Sequence, residues 1–369
     1  MNLKKLRNEI DKIDRKIIKL LEKRILIAKN IGFLKEKKKL PLTDIKREEE
    51  ILNKLKILTN DILLKESIPE IYQIIFNLSK SYRVFSKTHS QPFKKIGIIG
   101  LGLIGGSIVK GLKFKNKDLE IYALKRNDSD TKQAIREGYL TEALDLGNLV
   151  KFCELIIIST PILTIIPIAK EIQKIANRLN KNLIVIDTGS TKEKIVKEFE
   201  KFTNDKIEFL GTHPMAGSEK SGFKYSSSTL FINYPWLITP HSNNKKPTIS
   251  KIKNFIEFLG AKPLILSPQQ HDKVVAKVSH LIFLLSTLIF AYTYETAREF
   301  IKFSGTGFKT TTRLASSNPY MRYQIFLTNK NKIISEFKNF IKFIKRFRPD
   351  KEDMLILFKK YKNIRDKYF

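Results

Sequence analysis

Apolar side chains recur at alternating steps of three and four residues through the first 35 residues of the chain. This is the heptad period of a helix that packs along most of its length against other helices. A second helix is expected after Pro41, with Thr43 or Asp44 as its N-cap, and a third over residues 68–83. Three helices of unequal length can hardly cover both sides of the first, so the pattern predicts a dimer. The apolar positions are Leu3, Leu6, Ile10, Ile13, Ile17, Leu20, Ile27, Ile31 and Leu34.

One position in this series is charged. Arg24 stands where the pattern calls for an aliphatic side chain, and a buried guanidinium needs an anionic partner, either a structural carboxylate or a bound anion. Lys35 follows on roughly the same face about three turns later and can reach the same anion. Arg7 lies about 25 Å from Arg24 along the helix axis. It can serve the same ligand only across an antiparallel second copy of the helix.

The next part of the chain alternates between buried strands and helices. After a polar linker at 85–93, a strand is expected at 95–99, and residues 100–107 read G-L-G-L-I-G-G-S before an apolar helix. In this pattern the glycines let backbone amides approach a pyrophosphate at a helix N-terminus. Further strands at 119–124, 155–159 and 183–187 predict a doubly wound parallel sheet. The predicted dinucleotide-binding residues of the turn are Gly100, Gly102, Leu103, Ile104 and Gly105.

The residues after the second strand indicate which dinucleotide binds. An NAD site places an acidic residue there, about 20 positions after the glycines, to accept the ribose 2′-hydroxyl. Here Lys125 and Arg126 occupy the place. Two cations favour a 2′-phosphate, so NADP+ is predicted over NAD+.

Composition narrows the class of protein. The chain has 69 Lys and Arg against 37 Asp and Glu, a net charge of +32. The cations are spread over the whole length and no zinc spacing appears, so neither nucleic-acid binding nor a metal site is predicted. Cys153 is the one cysteine, and the N-terminus lacks a signal-peptide core. The stretch Leu281–Tyr292 is expected to be a core helix too short for a bilayer. A cytoplasmic protein without membrane contact is therefore predicted.

Three segments beyond the sheet carry candidate chemistry. Residues 185–192 read V-I-D-T-G-S-T-K after a buried strand, and residues 211–219 read G-T-H-P-M-A-G-S-E. The second segment is expected to place His213 on a loop that follows a strand at 207–210, which makes it the best general-base candidate among five histidines. A helix opened by the triplet at 270–272 should reach His280, and a Gly-rich segment leads to Arg313.

The first 84 residues resemble the all-helical chorismate mutases. The resemblance implies an intertwined helical dimer that binds a dicarboxylate enol ether and rearranges chorismate to prephenate without a nucleophile. Lys35 would donate to the ether oxygen, and Arg83 stands where the best-known members carry a second donor, glutamine. The implied carboxylate ligands are Arg7 of the second chain, Arg24 and Arg47; Asp44 and Glu48 would receive the ring hydroxyl, with Ser79 nearby.

The chain from about residue 95 to its end resembles the prephenate and arogenate dehydrogenases, through the motifs at 185–192 and 211–219. By this resemblance His213 accepts the proton of the ring hydroxyl, Ser190 orients that hydroxyl or the histidine, Arg313 clamps a carboxylate and His280 lines the pocket. Phe283 occupies a place where some prephenate-using members have histidine, which keeps arogenate open as a substrate. Arg322 stands where the family often has tryptophan.

The resulting prediction is an enzyme of tyrosine biosynthesis that makes prephenate and then converts it to 4-hydroxyphenylpyruvate with NADP+ or NAD+. The predicted fold is an all-α mutase domain (1–84), a linker (85–93), an α/β Rossmann-like domain (94–267) and an all-α dimerisation domain (268–369). The predicted partners are small-molecule substrates and a second copy of the chain, bound through both helical domains. The alternatives are an arogenate dehydrogenase that makes tyrosine and a dimeric dinucleotide-sensing interaction protein that has lost its chemistry.

Overall fold

The computed structural model describes residues 2–38, 40, 44–85, 91–126, 129–348 and 353–368, without the side chains of residues 36, 81 and 83–85. It begins with three helices, α1 (Leu3–Lys37), α2 (Ile45–Ile57) and α3 (Ile62–Phe85). The Asp44 carboxylate caps α2 by accepting from the backbone N–H of Arg47 at 3.1 Å, as predicted, whereas Thr43 lies outside the described residues. Helix α3 begins six residues before the predicted start at residue 68.

The early start of α3 has a local cause. Asp61 accepts a hydrogen bond from the backbone N–H of Leu64 at 2.7 Å, which satisfies one of the free donors at the helix N-terminus. The sequence interpretation passed over this cap. The helix then continues through Pro69.

The apolar face of α1 is not covered within a single chain. Helix α1 packs mainly against α3, and Ala28 is buried, yet Ile10 is 57% exposed and Leu20 66% exposed. The heptad series predicted packing along most of this helix. Within one chain that packing is missing for most of the series.

An eight-stranded sheet with the order β3-β2-β1-β4-β5-β6-β7-β8 forms the centre of the described structure. Strands β1 to β6 are parallel to their neighbours, β7 runs antiparallel to β6, and β8 is parallel to β7. This confirms the predicted doubly wound sheet. The strands are β1 (Lys95–Ile99), β2 (Glu120–Leu124), β3 (Glu142–Leu144), β4 (Leu155–Ile158), β5 (Leu183–Asp187), β6 (Ile207–Pro214), β7 (Pro235–Thr239) and β8 (Lys262–Ile265).

Both faces of the sheet are packed. Successive side chains of β1 point to opposite faces, so Ile98 joins one buried apolar cluster and Ile99 joins the other. The helices that cover the sheet are α4 (Leu103–Lys115), α5 (Ser129–Arg136), α6 (Leu146–Phe152), α7 (Ile162–Arg178), α8 (Glu193–Phe202) and α9 (Lys246–Phe258).

The C-terminal part is helical. It starts with α10 (Pro268–Val275), a π-helical turn (Ala276–His280) and α11 (Leu281–Ala297). Short 3-10 turns flank α12 (Thr306–Thr312), and α13 (Pro319–Arg346) and α14 (Met354–Tyr368) follow. Helix α13 ends before the proline at position 349, and a residue that precedes proline is disfavoured in the helical conformation.

The helical run Pro268–Phe303 corrects another prediction. Its mean hydropathy over an 18-residue window is 2.0, and by length and composition alone it is able to cross a membrane. Only 33% of that window is buried within the chain. The apolar stretch is thus longer than predicted, and it is not a core helix of a single chain.

Asp272 joins this helical part to the sheet domain. Its two carboxylate oxygens accept from the backbone N–H groups of Lys192, at 2.7 Å, and Glu193, at 3.0 Å. These donors lie at the N-terminus of α8, which has no side-chain cap of its own. A residue of α10 therefore caps α8 from a distance of 79 or 80 positions in sequence.

Candidate functional site

The turn between β1 and α4 accepts only glycine at two positions. Gly100 has a φ of +102°, and a Cβ there would lie 2.4 Å from the Ser159 carbonyl oxygen. A Cβ at Gly105 would lie 1.9 Å from the Gly100 carbonyl oxygen. Because backbone rather than side chain blocks both positions, the turn cannot relax around a larger residue.

A third glycine of the turn faces open space. No atom lies within 4 Å of a Cβ placed on Gly102, which is the N-cap of α4 and provides no side-chain hydrogen bond to it. Leu103 and Ile104 form the start of that helix. The N-terminus of α4 therefore presents backbone N–H groups to a ligand, as a pyrophosphate requires.

The two predicted phosphate-binding cations follow β2 directly. Lys125 and Arg126 are exposed, and the Lys125 backbone N–H donates to the Leu144 carbonyl at 2.7 Å. Their backbone is thus fixed at the end of β2 while their side chains face solvent. This position suits contact with the ribose end of a dinucleotide bound across the turn.

Asp187 and Lys192 form a fully buried ion pair at the end of β5. The Asp187 carboxylate also accepts from the backbone N–H of Gly189 at 2.8 Å and of Thr212 at 3.1 Å. Burial lowers the pKa of Lys192, and the Asp187 charge opposes that shift. Because one partner alone would leave an uncompensated buried charge, the pair locks the loop that carries Ser190 against β6.

His213 lies in β6 and not on the predicted loop. The strand runs to Pro214, and His213 pairs with Leu237 of the antiparallel strand β7. That pairing keeps the backbone extended for four residues beyond the predicted end at Leu210. Its side chain is 8% exposed and so is held by a strand instead of a mobile segment.

Two histidines and an aspartate form a chain of hydrogen bonds. The Nδ1 atom of His213 lies 2.9 Å from Nε2 of His271, and Nδ1 of His271 lies 2.8 Å from Oδ1 of Asp272. His271 and Asp272 are buried, with exposed fractions of 0% and 1%. Sequence interpretation placed both at the start of a helix but gave them no role.

The hydrogen bonds determine where the protons sit. The Asp272 carboxylate only accepts, so His271 carries its proton on Nδ1, and its Nε2 accepts from Nδ1–H of His213. In the neutral ring of His213, Nε2 then carries no proton. This is the atom that a general base requires.

Burial keeps these groups in the required charge states. It lowers the pKa of His213 well below 6.5, and the nearby positive charge of Lys192 adds to that shift. Burial also lowers the pKa of His271. Burial works against the Asp272 carboxylate, but hydrogen bonds from His271 and from the backbone of Glu193 hold its pKa below the ordinary value. Near neutral pH the site is two neutral imidazoles and one carboxylate.

Asn329 connects this chain to His280. Its Nδ2 donates to the Asp272 carbonyl at 2.8 Å and lies 3.2 Å from Nδ1 of His280. Asn329 reaches both because α13 breaks there, with φ −127° and ψ 24°. His280 is 1% exposed at the end of the π-helical turn, a helix type that occurs frequently at functional sites.

The structure places the other two predicted dehydrogenase residues as follows. Ser190 is half-buried in the loop held by the Asp187–Lys192 pair. Arg313, predicted to clamp a carboxylate, forms an ion pair with Glu219 and is half-exposed. The Arg313 guanidinium is thus already paired with a carboxylate of the chain itself.

The predicted mutase residues group around α1, α2 and α3. Nη1 of Arg24 donates to Oγ of Ser79 at 2.5 Å, and the Arg24 guanidinium lies 5.6 Å from the centre of the Phe76 ring. Lys35 and Asp44 approach to 3.9 Å. These contacts form two pairs among the predicted residues, Arg24 with Ser79 and Lys35 with Asp44.

The other predicted mutase residues differ in their exposure and in their partners. Glu48 forms an ion pair with Lys80, 2.9 Å apart, which sequence interpretation missed. Arg47 is exposed and pairs with Glu50 at 2.8 Å, and Arg7 is exposed on α1. The Arg83 side chain lies outside the described residues.

The sequence contained a signal for some of the site residues that the sequence interpretation missed. A His-Asp pair at a helix start could have been matched with His213, since a base needs an orienting partner. No local signal pointed to Asn329, which lies 49 positions from His280 in sequence.

Models of three protein families match successive parts of the chain. "Chorismate mutase type II" matches residues 6–84, "Prephenate dehydrogenase, nucleotide-binding domain" matches 108–266, and "Prephenate dehydrogenase, dimerization domain" matches 267–354. The chain is also 30% identical over 275 residues to prephenate dehydrogenase of Bacillus subtilis, which covers 73% of this chain and 74% of that one. The chain belongs to the prephenate dehydrogenase family.

Two further relatives match shares of different size of this dehydrogenase. The structure of A. aeolicus prephenate dehydrogenase in complex with hydroxyphenyl propionate and NAD+ has a TM-score of 0.68 and 29% identity, and covers 77% of this chain and 100% of that one. The bifunctional chorismate mutase/prephenate dehydratase of Aquifex aeolicus is 39% identical over 79 residues, 20% of this chain and 22% of that one. The name of the first relative carries the predicted dehydrogenase activity, and the name of the second carries the predicted chorismate mutase activity beside a dehydratase activity.

These matches confirm the predicted organisation: a helical chorismate mutase region, a Rossmann-like nucleotide-binding region and a C-terminal helical region of a prephenate dehydrogenase. The predicted cofactor class, a nicotinamide dinucleotide, is confirmed as well. The roles of the individual site residues stay predictions.

Proposed function

We propose that the chain performs two consecutive reactions, from chorismate to prephenate and from prephenate to 4-hydroxyphenylpyruvate. The observation that carries the proposal is the hydrogen-bond chain from Asp272 through His271 to His213, which leaves an unprotonated Nε2 on His213. His213 lies near the carboxyl end of β6, and β6 runs parallel to β1 in the sheet, so this is the edge from which the Gly-rich turn leaves β1. Ligands of doubly wound folds bind at that edge.

In the oxidation, Nε2 of His213 takes the proton of the ring 4-hydroxyl. The dinucleotide, when bound, supplies a hydride acceptor for C4 of the ring. Ser190 orients the hydroxyl or the histidine. The bond from the ring to its carboxylate then breaks, CO2 leaves, and the electron pair makes the ring aromatic. His213 returns its proton to the phenolic oxygen, so the histidine ends each turnover neutral.

His271 and Asp272 support the proton transfer. While His213 holds the extra proton, the bond from its Nδ1–H to His271 and the Asp272 charge behind it stabilise the imidazolium. The same bonds fix the ring orientation before substrate arrives. Both residues act through His213 and are positioning residues.

For the cofactor we propose NADP+ over NAD+. Lys125 and Arg126 are exposed directly after β2, where a 2′-phosphate would meet two cations and a 2′-hydroxyl would meet no carboxylate at those two positions. The Gly-rich turn, with Gly100, Gly102 and Gly105, holds the pyrophosphate in either case.

For the mutase reaction we propose that Arg24 and Lys35 place positive charge at the ether oxygen and a carboxylate of chorismate. The reaction is a rearrangement within one molecule, so it needs a folded substrate and a charge-stabilising site and no proton transfer. Arg47 and the partner chain's copy of Arg7 would hold the carboxylates, and Asp44 and Glu48 the ring hydroxyl. The exposed apolar face of α1 supports an antiparallel second copy there.

We further propose a homodimer that uses both helical regions. The exposed apolar side chains of α1 and of the Pro268–Phe303 run support this assembly, because each needs cover from a second chain. The domain limits 1–84, 94–267 and 268–369 and a cytoplasmic location stay part of this proposal.

The test offers prephenate and arogenate separately to the purified full chain, each with NAD+ and with NADP+, and measures reduced cofactor. A parallel sample receives chorismate alone, and its consumption is measured. The proposal predicts the highest kcat/KM for prephenate with NADP+. A preference for arogenate would make tyrosine the product instead. If no combination reduces cofactor and chorismate is not consumed, the chain is an interaction protein and the proposal is wrong.

A further inference from the structure

Arg322 is a half-buried cation whose hydrogen-bond and ring neighbours among the described residues, Ser317 and Phe283, include no carboxylate. Its Nη2 donates to Oγ of Ser317 at 2.9 Å, and its guanidinium lies 4.4 Å from the centre of the Phe283 ring. Its Nε is buried and has no hydrogen-bond partner in the described part of the chain. A half-buried guanidinium with a buried, unpaired Nε favours a bound anion.

His280 presents a second unused donor. Its Nδ1 faces the amide nitrogen of Asn329, and the bond from that nitrogen to the Asp272 carbonyl fixes it as a donor. Nδ1 of His280 therefore accepts, and its proton sits on Nε2. This Nε2 is buried and without a partner in the region described. Burial lowers the pKa of His280 to about 4, so the ring stays neutral.

Both donors border the same aromatic ring. The centre of the His280 ring lies 6.0 Å from that of Phe283, and Arg322 stacks on the same ring. Asn329 connects His280 to Asp272 and thereby to the bonds that orient His213. The predicted carboxylate clamp, Arg313, is by contrast already paired with Glu219.

We propose that Arg322 and His280 bind the 2-oxo acid side chain of prephenate and make the enzyme select a 2-oxo acid over an amino acid. The proposal rests on the proposed function and adds the residues that determine its substrate. Arg322 pairs with the side-chain carboxylate, and Nε2–H of His280 donates to the adjacent keto oxygen. The Phe283 ring packs against the Arg322 guanidinium and helps to hold it in place.

The selectivity follows from the types of group involved. The keto oxygen of prephenate only accepts, and both Arg322 and Nε2–H of His280 only donate. Arogenate carries an ammonium group at that carbon, which would bring a second positive charge and more donors to a site of donors. A site built for one hydrogen-bond pattern rejects an analogue that leaves its buried groups unpaired.

The experiment compares wild type with Arg322→Gln, using prephenate and arogenate as separate substrates at saturating cofactor. The variant should lose about tenfold to a hundredfold in kcat/KM for prephenate, mostly through KM, because a charged hydrogen bond is lost in substrate and transition state alike. Arogenate should lose less, since the repulsion of its ammonium is removed at the same time. The ratio of the two kcat/KM values should therefore fall at least about tenfold.

Arg178→Gln is the matched control, because it removes the same charge from the exposed end of α7. It should leave the ratio unchanged. If Arg322→Gln does not fold, Arg322→Lys takes its place, and it should weaken prephenate through loss of the planar fork. Inhibition constants of 4-hydroxyphenylpyruvate, a 2-oxo acid, and of tyrosine, an amino acid, compare the same two side chains without turnover.

An equal loss for both substrates, or no loss, in a folded Arg322 variant would overturn the inference. These outcomes are distinct from failure of the proposed function, which the wild-type protein reveals by not oxidising prephenate at all.

Discussion

Nδ1 of His213 lies 2.9 Å from Nε2 of His271, and this contact determines which nitrogen of His213 is free to act as a base. Because Asp272 holds the proton of His271 on Nδ1, the donor in the contact must be His213. The free nitrogen of the proposed base is thus defined by residues 58 and 59 positions further along the chain.

Asp272→Asn should lower the dehydrogenase kcat by about a hundredfold to ten-thousandfold, because an amide can donate to His271 and reverse its tautomer. KM for prephenate should change little. Steady-state kinetics at neutral pH measure both quantities.

The same variant needs a control for folding, because Asp272 also caps α8. The KM for prephenate and the urea midpoint of the variant supply it, since loss of the α8 cap would disturb the sheet domain and change both quantities. If Asp272→Asn keeps near-wild-type kcat in the dehydrogenase reaction, the proposed role of the His271 pair is wrong.

The stability of the protein should fall as the pH is lowered through about 6.5. Burial lowers the pKa of His213, His271 and His280, so the folded chain stays unprotonated where the unfolded chain takes up protons. Protons then favour the unfolded state. Urea midpoints at about pH 7.5 and about pH 5.5 measure the effect, and His280→Phe should reduce the difference. If the urea midpoint of His280→Phe changes between the two pH values as much as that of wild type, this account of His280 is wrong.

Arg24→Ala should abolish mutase activity and leave dehydrogenase activity with added prephenate largely intact. Arg24 contacts Ser79 and the aromatic face of α3 and lies far in sequence from the sheet domain. The two activities are measured in one preparation, with chorismate and with prephenate. Equal loss of both would indicate a folding defect and not the loss of a substrate contact.

The double change Lys125→Gln, Arg126→Gln should raise KM for NADP+ by about tenfold to a hundredfold, because two charged contacts to a phosphate are removed. KM for NAD+ should stay within about threefold, since a hydroxyl gains little from these cations. Arg136→Gln, at the exposed end of α5, serves as a charge control. A parallel rise in both KM values would argue against a 2′-phosphate contact.

The sequence predicted the Gly-rich turn well because its requirements are local. Gly100 needs a positive φ, which is a property of its own backbone, and Gly105 approaches the Gly100 carbonyl only five positions earlier. The same holds for the Asp44 cap and for the end of β5 at Asp187. In each case the pattern and the structure depend on a few neighbouring positions.

The sequence predicted fewer features where contacts between residues far apart in the chain determine the local structure. His213 was expected on a loop, because nothing local shows that β7 pairs with it. The use of Asp272 as cap and as histidine partner depends on docking of α10 on α8. The break in α13 at Asn329 likewise depends on contacts with residues on other helices.

The central claim is that one chain makes prephenate and then oxidises it with His213 as the base. The most direct measurement supplies chorismate and NADP+ to wild type and to His213→Asn and follows prephenate, 4-hydroxyphenylpyruvate and reduced cofactor together. Wild type should form 4-hydroxyphenylpyruvate and reduced cofactor in equal amounts, and the variant should accumulate prephenate with almost no reduced cofactor. If the variant reduces cofactor as fast as wild type, or if wild type forms neither prephenate nor reduced cofactor, the claim is contradicted.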